Sequence, residues 1–377
     1  MKHFETIVMG VGCMGAAACA HLAQRGRSVL GLDQFGIPND HGSSGHQSRA
    51  FRLAYYEHAD YVPLLKRSRE LFLELNDEAQ ATVFHASGGL YIGPEGGEFV
   101  EASQAAAELH GIEFERLDAA SIRNRFPTFE IPDHFVGLVE PGAGWIVPER
   151  AIETHVKMAR RAGADIRSNV TVQSWTTDGQ GVRINTSTDE FTADRLIITC
   201  GPWALRHLPD LQLRVSRQVL GWVEPQDPEP LACGSLPIWA IELEDQSLLY
   251  GFPMASDGHG PAGFKLARHW AAQSCDPESV NRSPEPGDES DFLPYLKQLL
   301  PGAAGPVREM RICLYTNTTD GHFIVDKHPD HEQIIIATGF SGHGFKFQPV
   351  IGEILADLSM TGQTSHSIEF LGLSRFR

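Results

Sequence analysis

Apolar and polar positions in this chain fall into blocks that switch between strand-like and helix-like spacing. Residues 6–10, TIVMG, form a short apolar run. Residues 16–26, AAACAHLAQRG, follow at helical spacing and close on Gly26. Residues 28–33, SVLGLD, form a second apolar run ending on an acid. This is a β-α-β opening, with Gly26 suited to the left-handed position after a helix. A further helix is predicted over 61–75, with Pro63 in its first turn and Leu64, Leu65, Phe72 and Leu75 apolar. A third is predicted over 148–162, starting on Pro148. Short strands are predicted at 164–169, 170–175, 182–187 and 195–201. Near the end, apolar residues 334–338 empty into the glycine-rich loop GFSGHGFKF, and 348–360 reads as a helix.

Two stretches, 84–147 and 215–310, are more strand-rich and less regular. They predict a second domain inserted twice into the first. The expected division is 1–83, 148–214 and 311–377 for an α/β domain, and 84–147 with 215–310 for the inserted one. A chain of 377 residues suits two domains. The polar, Pro-rich residues 275–290 read as a surface loop of the inserted domain.

Composition removes several function classes. The formal net charge of −17 argues against a nucleic-acid partner. No apolar run approaches a membrane span. The opening residues lack the basic segment, long apolar core and cleavage site of a signal peptide, so a cytoplasmic location is expected. The six cysteines form no C-x-x-C pair and suit neither zinc nor a disulfide framework. His328 and His331 flank Pro329 with no third ligand nearby, which reads as a surface turn, so no metal site is expected.

Gly10, Gly12 and Gly15 form G-x-G-x-x-G after a strand and at the start of a helix, with Asp33 at the end of the next strand. In such a unit the first glycine makes the turn, the second admits a pyrophosphate, and the third lets helix and sheet pack closely. The helix N-terminus offers N–H groups to phosphate, and the acid accepts from a ribose. Two later strand-to-glycine corners, at Gly201 and Gly339, suggest a cofactor domain assembled from distant pieces, which favours FAD over NAD. The loop before the last helix adds an anion-receptive corner with Lys346 just beyond it. Arg49 and Arg52 lie three apart, and Lys265 and His269 four apart. In an acidic protein, such cations near one cofactor would attract an anionic substrate, and an arginine suits a carboxylate.

Taken together, GVGCMGAAA (11–18 with Gly10), the arginine pair with YVPL, YGFP (250–253), FKLARH (264–269), CLYTNTTDGHFIVD (313–326), GFSGHGFKF and the terminal SRF (374–376) are similar to one family. Over essentially its full length the chain resembles the monomeric sarcosine oxidase and N-methyltryptophan oxidase family of FAD-dependent amine oxidases. The resemblance implies a glutathione-reductase-like FAD-binding Rossmann domain with an inserted antiparallel-sheet substrate domain. It implies oxidative demethylation of an N-methyl amino acid, sarcosine above all, by hydride transfer to flavin. Imine hydrolysis then yields formaldehyde, and oxygen yields hydrogen peroxide. It implies a monomer acting on a small molecule, and a flavin held as a thioether by Cys313.

The same resemblance assigns the site. Arg52 and Lys346 would bind the substrate carboxylate, with Tyr250, Tyr315 and Gly342 lining the pocket. Lys265 would activate oxygen, Arg49 would lie on the flavin face, and His269 would stand at the reacting centre. Flavin contacts would come from Gly10, Gly12, Met14, Gly15, Asp33, Ser43, Ser48, Val172, Gly201, Gly342, His343, Gly344, Phe345 and Lys346. The stretch GSSGHQSR (42–49) departs from the family's Gly-Ser-His-His-Gly-Asp-Thr-Arg, which bears on flavin attachment. The loop 253–263 also differs in length, which bears on specificity. Other readings are a bulkier N-methyl amino acid such as N-methyltryptophan, a cyclic secondary amino acid, or a flavoprotein dehydrogenase or tRNA-modifying module passing electrons to a partner.

Overall fold

The structure, a computed structural model, describes residues 1–254, 260–269 and 272–376. Part of the 253–263 loop therefore lies outside the described residues. Five strands run parallel in the first sheet: Asp165–Arg167, Val29–Leu32, Lys2–Met9, Glu190–Ile198 and His331–Thr338. Their isoleucines, valines and leucines are buried, as the near-continuous apolar runs require of a parallel sheet covered on both faces. Glu190–Ile198 is forked along one edge. Its first half pairs antiparallel with Val182–Thr186, and its second half pairs parallel with His331–Thr338. The three helices Cys13–Gln24, Pro148–Arg161 and Gln348–Thr361 share one apolar core against this sheet.

In open α/β sheets ligands bind at the carboxyl ends of the parallel strands. Here those ends deliver Gly10, Asp33, Thr199 to Gly201 and Gly339 to one edge. The second sheet runs in the order Val307–Asn317, Arg214–Val223, Phe264–His269, Leu248–Gly251, Ile238–Glu242, Gly89–Pro94, Phe135–Glu140 and Glu115–Asp118. A small third sheet joins Arg49–Phe51, Gly144–Ile146 and Phe84–His85.

Two details add to the sequence expectations. The second sheet is antiparallel except for one pair, Gly89–Pro94 with Ile238–Glu242, which is parallel. That pair is the seam where the two inserted stretches meet, and no hairpin there forces an antiparallel return. The division at 310/311 falls within Val307–Asn317, which pairs along Arg214–Val223 and belongs to the second sheet. The divisions at 83/84 and 147/148 fall beside strands of the third sheet, which ties both parts together. His328 and His331 end and begin neighbouring strands of a hairpin, and no metal-competent group of three ligands occurs among the described residues. No helix among them is long and apolar enough to cross a membrane.

The helix contact at Gly352 is a tight point of the first domain. A Cβ there would lie 2.4 Å from the Ala17 Cβ, whereas one on Gly302 would meet nothing within 4 Å. Gly352→Ala is expected to destabilise by about 1–3 kcal/mol, the ordinary range for overpacking. Gly302→Ala should leave the midpoint of thermal unfolding close to wild type. Equal midpoints for the two variants would show that the contact has slack.

Candidate active site

The glycine turn is built by close contact. Gly10 has φ +91°, and a Cβ there would strike the Thr199 carbonyl oxygen at 2.6 Å. A Cβ on Gly15 would lie 1.9 Å from the Gly10 oxygen, so the helix rests directly on the turn. Gly12 differs: a Cβ there would meet only the Ser44 hydroxyl, at 3.6 Å, so its open side faces a cleft. Gly12, the residue before the helix, has no side chain to cap it, and the Ser44 hydroxyl accepts from Cys13 N at a long 3.4 Å. The Asp33 carboxylate accepts from Val11 N at 2.8 Å and Phe35 N at 2.9 Å, holding the two strand ends together. Burial raises its pKa, with those two N–H groups opposing.

The cleft spans about 1450 Å³ of space, part of it open to solvent, and is long rather than round. It runs from the glycine turn and Asp33, past Val172 and Gly201, to Arg49, Cys313 and Tyr315. Its length, its open approach at Gly12 and the helix N-terminus that faces it fit an extended dinucleotide such as FAD. Met14, Ser43, Gly342, Gly344 and Phe345 also line it. Gly15, Ser48, His343 and Lys346, expected at the flavin, do not. Gly15 is buried under the turn, and Ser48 is used by Lys265. His343 and Lys346 line a second cavity instead.

That second cavity, about 710 Å³, meets the cleft at five residues that line both: Arg49, Tyr250, Tyr315, Gly342 and Phe345. The tight loop is what opens this junction. Gly342 has φ +80°, and a Cβ there would lie 2.3 Å from the Tyr315 ring. Tyr315 hydrogen-bonds His269 Nδ1 at 3.2 Å, and its hydroxyl also meets that of Tyr250. Burial lowers the His269 pKa to about 4, so the ring is neutral.

Arg52 and Lys346 face the second cavity, both under a tenth exposed. Arg52 donates to Glu57 at 2.5 Å and lies 4.4 Å from the Tyr55 ring centre. Lys346 donates to the His343 carbonyl at 2.8 Å. Burial first, then the Arg52 charge, pulls the Lys346 pKa down to about 7, with Glu57 opposing. Burial alone would raise Glu57, but Arg52, His343 and Lys346 outweigh it and hold the carboxyl below its ordinary value. One Glu57 oxygen, Oε2, is buried without a hydrogen-bond partner. Glu57 was missed in the sequence: five residues from Arg52 is no helical or strand spacing, and a loop makes the pairing. His343, with its pKa lowered to about 3 by burial, is neutral. Its Nε2–H donates to the Gly321 carbonyl at 2.9 Å, and its Nδ1 accepts from the Tyr55 hydroxyl at 2.5 Å.

Lys265 lines neither cavity. Its ammonium donates to His46 O at 2.5 Å and to Ser48 O and Oγ, both at 3.0 Å. Arg49 donates to the same Ser48 carbonyl at 2.9 Å, so one oxygen bridges the two cations. The bend they grip is strained, because His46 and Gln47 have φ +79° and +72°. His46 spans to the strand of Cys313 through a 3.0 Å contact with Ile312 O. Arg49 also reaches the Cys313 sulfur at 3.6 Å and Ser43 O at 3.0 Å.

A model of the family DAO, FAD dependent oxidoreductase, matches residues 5–358. A monomeric sarcosine oxidase of Bacillus sp. is 36% identical over 380 residues, covering 99% of this chain and 96% of that protein. One from Streptomyces avermitilis is 37% identical, covering 97% and 96%. An N-methyl-L-tryptophan oxidase of Salmonella enteritidis is 33% identical, covering 99% of each. Among solved structures, NikD, an amino acid oxidase of nikkomycin biosynthesis, superimposes with a TM-score of 0.86 at 23% identity, covering 99% and 98%, and so speaks for the fold.

Lys346 carries a pH signature. It is protonated below about 7 and neutral above. Binding of a redox-inert carboxylate such as propionate, followed by the flavin spectrum, should therefore weaken as the pH rises through that value. Lys346→Met should flatten the dependence. Tighter binding at higher pH would contradict the assignment.

Proposed function

The chain belongs to the family of FAD-dependent oxidoreductases, and from this we propose that it oxidises the N-methyl carbon of a secondary amino acid. The observation that carries the proposal is the pairing of Arg52 and Lys346 in an otherwise largely apolar cavity that opens onto the FAD cleft. Two cations there suit a carboxylate, and Arg52 offers a fork to it. Glu57 neutralises one of them until an anion arrives. Sarcosine, the substrate expected from the sequence, carries the required carboxylate and N-methyl amine.

Bound FAD supplies the acceptor for the two electrons that leave the substrate. The chain's own residues do the rest. Arg52 and Lys346 hold the carboxylate, which directs the amine toward the junction at Tyr250, Tyr315 and Gly342. The nearby cations lower the amine's pKa and so favour its neutral form, which alone releases hydride readily. Neutral His269 and Tyr315 form a hydrogen-bonded wall beside it. The substrate leaves as an imine, and water converts it to formaldehyde and the primary amino acid. Oxygen is the proposed electron acceptor, with Arg49 as the fixed cation and Lys265, its pKa pulled down by burial and then by Arg49, as the group beside it that gains charge as negative charge develops. Cys313 is the proposed point of covalent attachment, supported by its place at the junction end of the cleft and by the guanidinium at 3.6 Å.

An anaerobic titration with sarcosine or a larger N-methyl amino acid should bleach the visible flavin band, and air should restore it. A band that no N-methyl amino acid bleaches overturns the reading. Arg52→Met should lower kcat/KM by roughly 10²–10³-fold, the cost of removing one member of a buried, hydrogen-bonded charge pair. Retained activity would remove Arg52 from substrate binding. For the attachment, acid-precipitated protein should stay yellow, and Cys313→Ala should release its flavin to the supernatant. Flavin released by the unmodified protein would show a non-covalent cofactor.

A further inference from the structure

The floor of the substrate cavity is one face of the second sheet. On Ile238–Glu242, Ile238, Trp239 and Ala240 line it, and the Trp239 and Ile241 side chains pack in the core of the second sheet. Ala240 stands opposite Tyr250 on one neighbouring strand and Tyr91 on the other. It is thus the smallest side chain in a row between two tyrosines. Trp239 is 2% exposed and Ile241 is fully buried, yet Ala240 keeps accessible surface in the middle of the sheet. That surface opens on the cavity.

The recess above Ala240 is apolar at its rim. Ile238, Leu248 and Phe99 line the same cavity, and Phe99 and Leu248 belong to the apolar cluster against which Ala240 packs. The Tyr91 hydroxyl is spent on Glu140 at 2.7 Å, leaving the ring to the cavity. The Arg52 guanidinium lies 5.9 Å from the Phe99 ring centre, so the carboxylate anchor and the recess adjoin. A substituent on the carbon next to a carboxylate held at Arg52 is therefore within reach of the recess.

We propose that this recess receives an apolar side chain at the substrate's α-carbon. The preferred substrates are then N-methyl amino acids bearing such a side chain, and Ala240 is a residue that sets this preference. Sarcosine has only hydrogen at that carbon and leaves the recess unfilled. The inference rests on the oxidase reading above and names the substrate class of the same site.

The test compares kcat/KM of the FAD-loaded enzyme for sarcosine, N-methyl-L-alanine and N-methyl-L-leucine. The expected order rises along that series, with N-methyl-L-leucine about tenfold or more above sarcosine, since each added methylene in an apolar pocket is worth roughly that factor. Ala240→Leu should shift the ratio of N-methyl-L-leucine to sarcosine down by about tenfold or more. Ala240→Gly, which keeps the recess, should preserve the order even if the larger variant fails to load flavin. Sarcosine as the best substrate of the wild type, or an Ala240→Leu variant that lowers all three alike, overturns the inference and leaves the oxidase reading standing. Failure of all three to reduce the flavin overturns both.

Discussion

Burying positive charge is the constraint on which this site depends. Arg52, Lys265 and Lys346 are each less than a tenth exposed, and Arg49 is only partly exposed beside them. Taking such charges out of water costs several kcal/mol each unless partners replace the solvent. Among the described residues, only one carboxylate, Glu57, is ion-paired with any of the four. The others are satisfied by main-chain carbonyls: His46 O and Ser48 O for Lys265, Ser43 O and Ser48 O for Arg49, and His343 O for Lys346. Such carbonyls are aimed by backbone shape, so the loops must be bent to the cations. The left-handed pair His46–Gln47 and the turn at Gly342 are where that bending is concentrated.

Leaving the cations without full countercharge has a functional result. An arriving anion meets groups whose desolvation has already been met by folding, so little reorganisation attends its binding. The two lysines are the adaptable members: the Lys346 charge is marginal near neutrality, and burial, then the Arg49 charge, pulls the Lys265 pKa well below its ordinary value. Arg52 is the most fixed, held by Glu57 and layered against Tyr55 and Tyr56.

The features legible in the sequence were those set by local backbone demands. Gly10, Gly15 and Asp33 announce a strand–turn–helix because no other side chain fits the first two and the third closes the turn. The helices beginning at Tyr61 and Pro148 were visible in their prolines and apolar spacing, and extend to Ala79 and Arg161. What was hidden depends on distant pairings. The Lys265–Ser48 contact joins residues 217 apart, and nothing in either neighbourhood signals the other. The parallel seam at Ile238–Glu242 is fixed by how two inserted stretches dock, which periodicity does not encode. Val307–Asn317 was divided because its mixed first half and apolar second half do not mark one strand, nor which sheet receives it. Glu57 and Ala240 became visible only when loop and sheet face were seen to border one cavity.

The forked strand Glu190–Ile198 joins the two walls of the cleft. The glycine turn and its first parallel neighbours come from the first two hundred residues, but the wall from Gly339 to Phe345 follows His331–Thr338, which docks on the fork's last open segment. One short ladder, Leu196 to Ile198 against Ile334 to Ile336, therefore holds the second wall of the cleft to the first. Loosening that ladder would open the cleft along its length without touching a residue that lines the glycine turn.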